Sequence, residues 1–424
     1  MAAARTARRS PPPLEHRILM TATLCLLAYG AVMVYSASSP LGVINAGGHG
    51  LGTGEFFVYL LAAAIGLLAM RILERRGLDI VTPPLVRLFL AGSFVLLVAV
   101  LMPGIGLDVN GARRWFNSGP VEFQPSELMK LALVLYAARL LADHPKRMRA
   151  GFKRAVMPIA LPVVPACGLI ILEPDLGTAL VVAFTMAALL VAAGMPGRYL
   201  LGLAGLAAAA VLLLVVVEPY RMARLTSFLH PWAVARTTGF QAVQGQIALG
   251  SGGLFGVGLG KSVQKVLYLP EAQTDFILAV IGEELGVMGI LGVALLYGMI
   301  AYAGLRTARK AATRYAKLLA TGLTSLILCQ GILNIFVVLG IAPLTGVPLP
   351  FISYAPSSLC VLLASMGLLL NIARPPARSL RAVDGSSGRR GRAGAGEPAP
   401  DRDRRGRDGR SRRAGAGGRR RAAG

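Results

Sequence analysis

Long apolar runs, many without a single charge, recur along this chain, and a helix needs roughly 20 such residues to cross a hydrocarbon core. The first, Ile18 to Ser36, is too long for a cleavable signal and has no small-residue cleavage site before Pro40. The pattern predicts helices over about 18–37, 55–73, 85–103, 125–142, 156–173, 176–194, 198–217, 275–303, 317–341 and 356–373. The expected fold class is therefore all-α: a polytopic integral membrane protein with about ten transmembrane helices. Hydrophobic residues make up 55% of the 424, more than the roughly half usual in soluble domains.

Lysine and arginine placement sets the orientation. With the N-terminus inside, Arg5, Arg8, Arg9 and Arg17 are cytoplasmic, as are Arg71, Arg75, Arg76 and Arg87. Lys146, Arg147, Arg149, Lys153 and Arg154 follow, and then Arg306, Arg309, Lys310, Arg314 and Lys317. An even number of spans returns both basic termini to one side. The expected location is the cytoplasmic membrane, with any chemistry on its outer face.

The formal charge of +24 is not spread evenly: sixteen of the 44 basic residues lie in 374–424. That stretch of Arg, Gly, Ala and Asp has little to bury and is expected to be a disordered tail attracted to anionic lipid, not to nucleic acid. The organisation expected is a basic segment, 1–17, a membrane domain, 18–373, and the tail, 374–424. Cys25, Cys167, Cys329 and Cys360 sit singly in apolar runs and read as packing residues. The four histidines are scattered, which argues against a histidine metal site.

Two outer loops exceed simple connections. One, 104–124, carries Arg113-Arg114-Trp115. The other, 218–274, is far longer than the usual ~4–6 residues and holds Phe228, Trp232, Phe240, Ile247, Leu254, Phe255 and Leu269, which need burial. Residues 239–249 are expected to form a short amphipathic helix at the outer interface. Gly256-Val257-Gly258-Leu259-Gly260-Lys261-Ser262 ends like a phosphate-binding loop, but Phe255 stands where the first glycine is required. Its glycines instead suit tight turns or close backbone approach.

On this topology the unusual polar residues gather at the outer mouth: Glu127 and Lys130, Glu173 and Asp175, Lys265, Glu271 and Asp275, and Ser353 with Tyr354. Ionisable groups at membrane depth are functional candidates by default. Plainer roles remain open for each. Glu127 and Lys130, three apart on a helix, can neutralise each other. Asp175, and Thr274 or Asp275, can cap helices. From Leu285 to Ala303 the helix nearly spans the core, which leaves Asp275 at the outer boundary, within reach of a sugar headgroup on a lipid.

The run Gln264-Lys265-Val266-Leu267-Tyr268-Leu269-Pro270-Glu271-Ala272-Gln273-Thr274-Asp275-Phe276-Ile277, with Ile281-Gly282-Glu283-Glu284-Leu285-Gly286, resembles the signature of the SEDS family (shape, elongation, division and sporulation). Four further matches fall in order: Tyr35-Ser36-Ala37-Ser38-Ser39, Phe123-Gln124-Pro125-Ser126-Glu127, Glu173-Pro174-Asp175-Leu176-Gly177-Thr178 and Leu349-Pro350-Phe351-Ile352-Ser353-Tyr354. The similarity covers about 18–373. Gln264-Lys265 and Ile281-Gly282-Glu283-Glu284 look more like the division branch than the elongation branch. Three positions depart from the family pattern: Gln273 replaces its usual histidine, Ala355-Pro356 its glycine pair, and His230 its aspartate.

The resemblance implies a glycosyltransferase that polymerises lipid II outside the cytoplasmic membrane, paired with a class B penicillin-binding transpeptidase and other divisome proteins. Asp275 matches the family's essential acidic residue and is the expected general base. Candidate substrate-binding residues are Arg113, Glu127, Lys130, Glu173, Asp175, Gln264, Lys265, Glu271 and Ser353. Lys130, Lys265 and Arg113 are the cations expected to meet the departing pyrophosphate. A divalent cation, Mg or Mn, held by Asp175 or Glu173 is an alternative. The rival function is a lipid II flippase, for which polar residues through the full depth and repeat symmetry are expected; neither is evident.

Overall fold

The structure, a computed structural model, describes residues 12–45, 54–109, 112–117, 122–145, 152–266 and 268–374. The expectations for the tail, for most of segment 1–17, and for Lys146, Arg147 and Arg149 lie outside the described residues.

Ten long helices stand where the hydropathy predicts them. They are α1 (Leu14–Asn45), α2 (Gly54–Ile80), α3 (Pro83–Leu101), α4 (Pro125–Asp143), α5 (Phe152–Leu172), α6 (Leu176–Ala193), α7 (Gly197–Val217), α10 (Ile277–Lys310), α11 (Arg314–Val338) and α12 (Pro356–Ala373). Eight are long and apolar enough to cross a membrane by length and composition. The other two are α4, whose span carries Glu127, Lys130, Arg139 and Asp143, and α5, with Pro158, Pro162 and Pro165 inside it. The chain is a multi-pass membrane protein.

Buried apolar residues from most of these helices form one continuous core. Helix α4 lies at its centre, packed against α3, α6 and α11. The helices α2 and α12 pack along their length, and a side chain at Gly367 would sit 2.5 Å from the Met70 carbonyl oxygen. Small residues allow such backbone approach where lipid supplies no hydrophobic drive between helices. By contrast α7 buries none of its residues.

The ends bearing the basic residues carry their own ion pairs. Buried Glu74 meets His16 at 2.8 Å, Arg71 at 3.2 Å and Arg374. Glu15 meets Arg306 at 2.8 Å and Lys310 at 2.7 Å.

The all-α expectation needs one amendment. Strands β1 (Gly106–Val109), β2 (Ala112–Asn117) and β3 (Glu122–Phe123) form a small antiparallel sheet, with Leu107 opposite Trp115 and Phe116 opposite Phe123. Asn110-Gly111 between the first two strands is a strong hairpin signal in sequence. The long loop is also structured, with helices α8 (Pro219–Leu229) and α9 (Phe240–Gly252). Helix α9 corresponds to the amphipathic segment expected at 239–249. It packs on α10, burying Val243, Gly245, Ala248 and Gly252.

Candidate active site

Asp275 ends the long loop, two residues before α10. It does not cap that helix: Phe276 occupies the N-cap position, and no side chain makes a capping bond there. Its backbone is held from two sides. Asn334 Nδ2 on α11 donates to the Asp275 carbonyl at 2.8 Å and to the Val347 carbonyl at 2.8 Å. Ser353 Oγ donates to the neighbouring Thr274 carbonyl at 2.5 Å, and the Tyr354 amide donates to Gln273 O at 2.9 Å. The side chain is left free of such bonds: among the described residues none donates to the Asp275 carboxylate. Gly346 lies against it, where a Cβ would stand 3.3 Å from Oδ2.

Burial pushes the Asp275 carboxyl up to about 7, the charges of Glu271 and Asp175 push it the same way, and Arg224 and Arg114 oppose them. A carboxylate poised near neutral pH suits general-base work. Glu271 accepts from Thr274 Oγ1 at 2.8 Å. Gln273, at the first departure from the family pattern, donates to Glu55 at 2.9 Å, tying the loop to α2.

The turn between α5 and α6 brings in the next carboxylates. Asp175 caps α6, accepting from the Thr178 amide at 2.9 Å and its hydroxyl at 2.7 Å, and Gln124 donates to it at 3.2 Å. Gly177 sets the close approach of this turn to the segment beside Asp275, since a Cβ there would meet Thr345 O at 2.5 Å. Glu173 is 0% exposed, with no hydrogen-bond partner for either carboxyl oxygen among the described residues. Burial and the charge of Asp175 push its carboxyl up to about 9 against the pull of Arg114, so it is the neutral acid at pH 7.

Strand alternation separates the two arginines of the sheet. Arg113 faces Asp108 at 3.3 Å. Arg114 reaches the α5–α6 turn, donating from Nε to Glu173 O at 2.7 Å and from Nη2 to Pro174 O at 2.5 Å.

Lys265 belongs to a different cluster, while Gln264 Oε1 beside it is buried with no hydrogen-bond partner among the described residues. Lys265 is buried and donates to Glu284 at 2.7 Å and to Ser36 at 2.9 Å. Glu283 accepts from the Val263 amide at 3.0 Å and from the Ser262 hydroxyl. Helix α10 breaks at Gly286, at φ 68° and ψ −164°. The glycine-rich segment seals that break: the Val257 and Gly258 amides donate to Glu283 O and Glu284 O, while the Val287 and Met288 amides donate to Gly253 O and Leu254 O. A Cβ on Gly256 (φ +78) would lie 2.1 Å from Glu284 O. This backbone approach is what the phosphate-loop-like glycines serve.

Glu127 and Lys130 pair with each other inside the bundle at 2.8 Å, and Lys130 also donates to Gln330 Oε1 at 2.8 Å. Gln330 then donates to Pro348 O at 3.1 Å, so the pair braces the segment leading to Ser353. The structure thus groups Asp275, Glu271, Asp175, Glu173 and Ser353. Arg113, Lys130 and Lys265 each have their own carboxylate partner.

Sequence reasoning passed over Asn334, Arg221 and Arg224, and noted Arg114 only within Arg113-Arg114-Trp115. A signal existed for the arginines, because basic residues on a predicted outer side run against the orientation bias. No cluster of three or more His, Cys, Asp or Glu groups suited to a metal occurs among the described residues. The divalent cation expected at Asp175 or Glu173 has no such cluster behind it, and Asp175 already accepts from the Thr178 amide and hydroxyl and from Gln124.

The family profile described as cell cycle protein, for FtsW, RodA and SpoVE, matches residues 17–377. Stage V sporulation protein E of Bacillus subtilis is 40% identical over 378 residues, covering 87% of this chain and 99% of the relative. A probable peptidoglycan glycosyltransferase FtsW of Coxiella burnetii is 42% identical over 359 residues, covering 84% and 95%. Among solved structures, the rod shape determining protein RodA of Thermus thermophilus aligns with a TM-score of 0.59 at 29% identity, covering 84% of this chain and 95% of that one. A chain of a peptidoglycan synthase complex, solved in work on the coordination of polymerization and crosslinking, aligns with a TM-score of 0.65 at 30% identity, covering 84% and 96%. With a family match across most of its length and relatives at this identity, the chain belongs to the FtsW/RodA/SpoVE family of cell cycle proteins.

Proposed function

We propose that this chain is a peptidoglycan glycosyltransferase that polymerises lipid II at the outer face of the cytoplasmic membrane, in septal wall synthesis. The observation that carries the reading is the carboxylate of Asp275: Asn334 braces its carbonyl and Ser353 that of Thr274 before it, while its oxygens receive no donor among the described residues. The acceptor's GlcNAc 4-hydroxyl attacks C1 of the donor MurNAc as its proton passes to Asp275. The C1–oxygen bond breaks, and its electron pair leaves with undecaprenyl pyrophosphate. An α-linked donor and a β-1,4 product require one inversion. A pyrophosphate leaving group needs no proton, so one carboxylate suffices where an inverting hydrolase uses two.

The class B transpeptidase and other divisome proteins are the partners on this reading. The basic tail lies against anionic lipid, and both termini are cytoplasmic. Division rather than elongation is favoured by the FtsW names of several relatives.

The test is glycan formation from lipid II by the purified protein, with and without its transpeptidase. Asp275→Asn keeps the size of the side chain but cannot take the proton, and it lowers the rate by about 10²–10⁴. Near-normal polymerisation by Asp275→Asn sinks the assignment of the base, and no glycan from the parent protein with its transpeptidase reopens the flippase. Orientation is checked separately in a background whose four cysteines are replaced. A cysteine at exposed Thr238 is expected to label from outside, and one at Ser387 only after permeabilisation.

A further inference from the structure

A departing pyrophosphate needs cations, and Lys130, Lys265 and Arg113 are already neutralised by Glu127, Glu284 and Asp108. Four other arginines on the same side have no ion-pair partner among the described residues: Arg114, Arg221, Arg224 and the exposed Arg236. Two of them, Arg114 and Arg221, line a cavity of about 410 Å³ between the sheet, the end of α5 and the α7–α8 junction. That volume falls within the ~300–1,000 Å³ of small-molecule sites.

Both guanidinium groups are partly buried and fixed by backbone carbonyls. Arg114 is held on Glu173 O and Pro174 O, and Arg221 donates to Ile171 O at 3.2 Å and to Leu214 O at 3.3 Å. These bonds use part of each fork, so N–H groups remain for a ligand. Two pre-set forks match phosphate oxygens well. The Glu218 carboxylate also borders the cavity, but at an exposed position.

The remaining wall is apolar. Leu172 is 67% exposed, Tyr220 is 54% exposed, and Leu214 belongs to α7, the helix that buries none of its residues. An anion seated between the arginines therefore has apolar surface beside it, not a closed polar shell. The cavity is also coupled to the proposed base, since the charge of Arg114 acts on Asp275.

We propose that the cavity between Arg114 and Arg221 seats the diphosphate of a polyprenyl diphosphate, with the prenyl chain leaving along Leu172 and Leu214 beside α7. The site rests on the glycosyl-transfer reading for its role, as the place where the donor's leaving group is held. Its ligand chemistry follows from the cavity itself.

The experiment is a binding titration of the full-length protein in detergent with a polyprenyl diphosphate, run beside inorganic pyrophosphate and the uncharged polyprenol. The polyprenyl diphosphate is expected to bind tightest. Arg114→Gln and Arg221→Gln should each weaken it about tenfold or more, as expected for a lost charge-assisted bond. Arg113→Gln, next in sequence but facing Asp108, should change it less than about twofold. Melting curves identify any variant that fails to fold. Leu214→Trp fills the cavity from a helix with no buried residues, and is expected to block binding while the protein stays folded.

Normal binding by folded Arg221→Gln and Leu214→Trp would overturn the site. Equal affinity for inorganic pyrophosphate would overturn the lipid assignment, and an equal loss in Arg113→Gln would reduce the effect to general charge. A protein that binds the diphosphate lipid but makes no glycan upholds the site and defeats the transfer reading. Glycan synthesis with normal binding by the arginine variants does the reverse.

Discussion

Asn334, buried on α11, holds Asp275 and Val347 together through one amide nitrogen, at 2.8 Å to each carbonyl. A single side chain thereby sets the distance between the loop bearing the proposed base and the segment that flanks its carboxylate.

Replacing Asn334 with Leu leaves both carbonyls without their donor, at about 1–3 kcal/mol of stability. The expected outcome is a lower melting temperature and at least a tenfold loss of polymerisation, with binding of the transpeptidase retained. Equal losses of transpeptidase binding and polymerisation would mark a global defect instead of a positioning role.

The pH profile of polymerisation should rise through about 7, because Asp275 must be ionised to accept a proton and its carboxyl is pushed up to about 7. Glu271→Gln removes a negative charge that raises this value, so the rising limb should move to lower pH. Arg224→Gln removes an opposing positive charge and should move it to higher pH. An unchanged limb in both variants would exclude Asp275 as the titrating group.

Glu127 and Lys130 are both buried and paired at 2.8 Å. Neutralising one strands the other, a cost of roughly 3–5 kcal/mol. Glu127→Ala and Lys130→Ala should each lower the yield of folded protein more than the double change to Gln and Met. Two single variants with wild-type melting curves would contradict a dry pair.

Glu173 carries its own pH signature. Its folded-state value, about 9, lies above the ordinary 4.5, so the folded protein holds a proton that the unfolded chain releases. Stability from this group is therefore complete below pH 4.5 and declines as the pH rises towards 9. Glu173→Gln, neutral at every pH, should flatten that decline in thermal melts between pH 5 and 9. A melt profile identical to the parent's would mean that Glu173 is ionised at neutral pH.

Much of this protein was legible because membrane insertion imposes a long-period pattern that survives without tertiary information. Runs such as Gly197–Val217 could only be spanning helices, and the five ordered motifs carried the family. The pairing of β1 with β2 was also signalled in the sequence by Asn110-Gly111, but that signal is short beside the helical pattern around it. The capping choice could not be read: spacing allowed either Asp175 or Asp275 to be a helix cap. In the fold Asp175 is one, and Asp275 is not.

Sequence alone determined the helices, their order, the family and which acidic residues stand beside the helix ends, since each depends on composition within a local stretch. Tertiary structure decided which charges are spent on one another. Lys265 of the long loop meets Glu284 just before the break in α10, Lys130 meets Glu127 and Gln330, and Arg114 turns to the α5–α6 turn while Arg113 does not. The reason is electrostatic: a charge in a poorly solvated place is fixed by whichever group lies within about 4 Å, and that group comes from chain segments whose meeting no local pattern encodes.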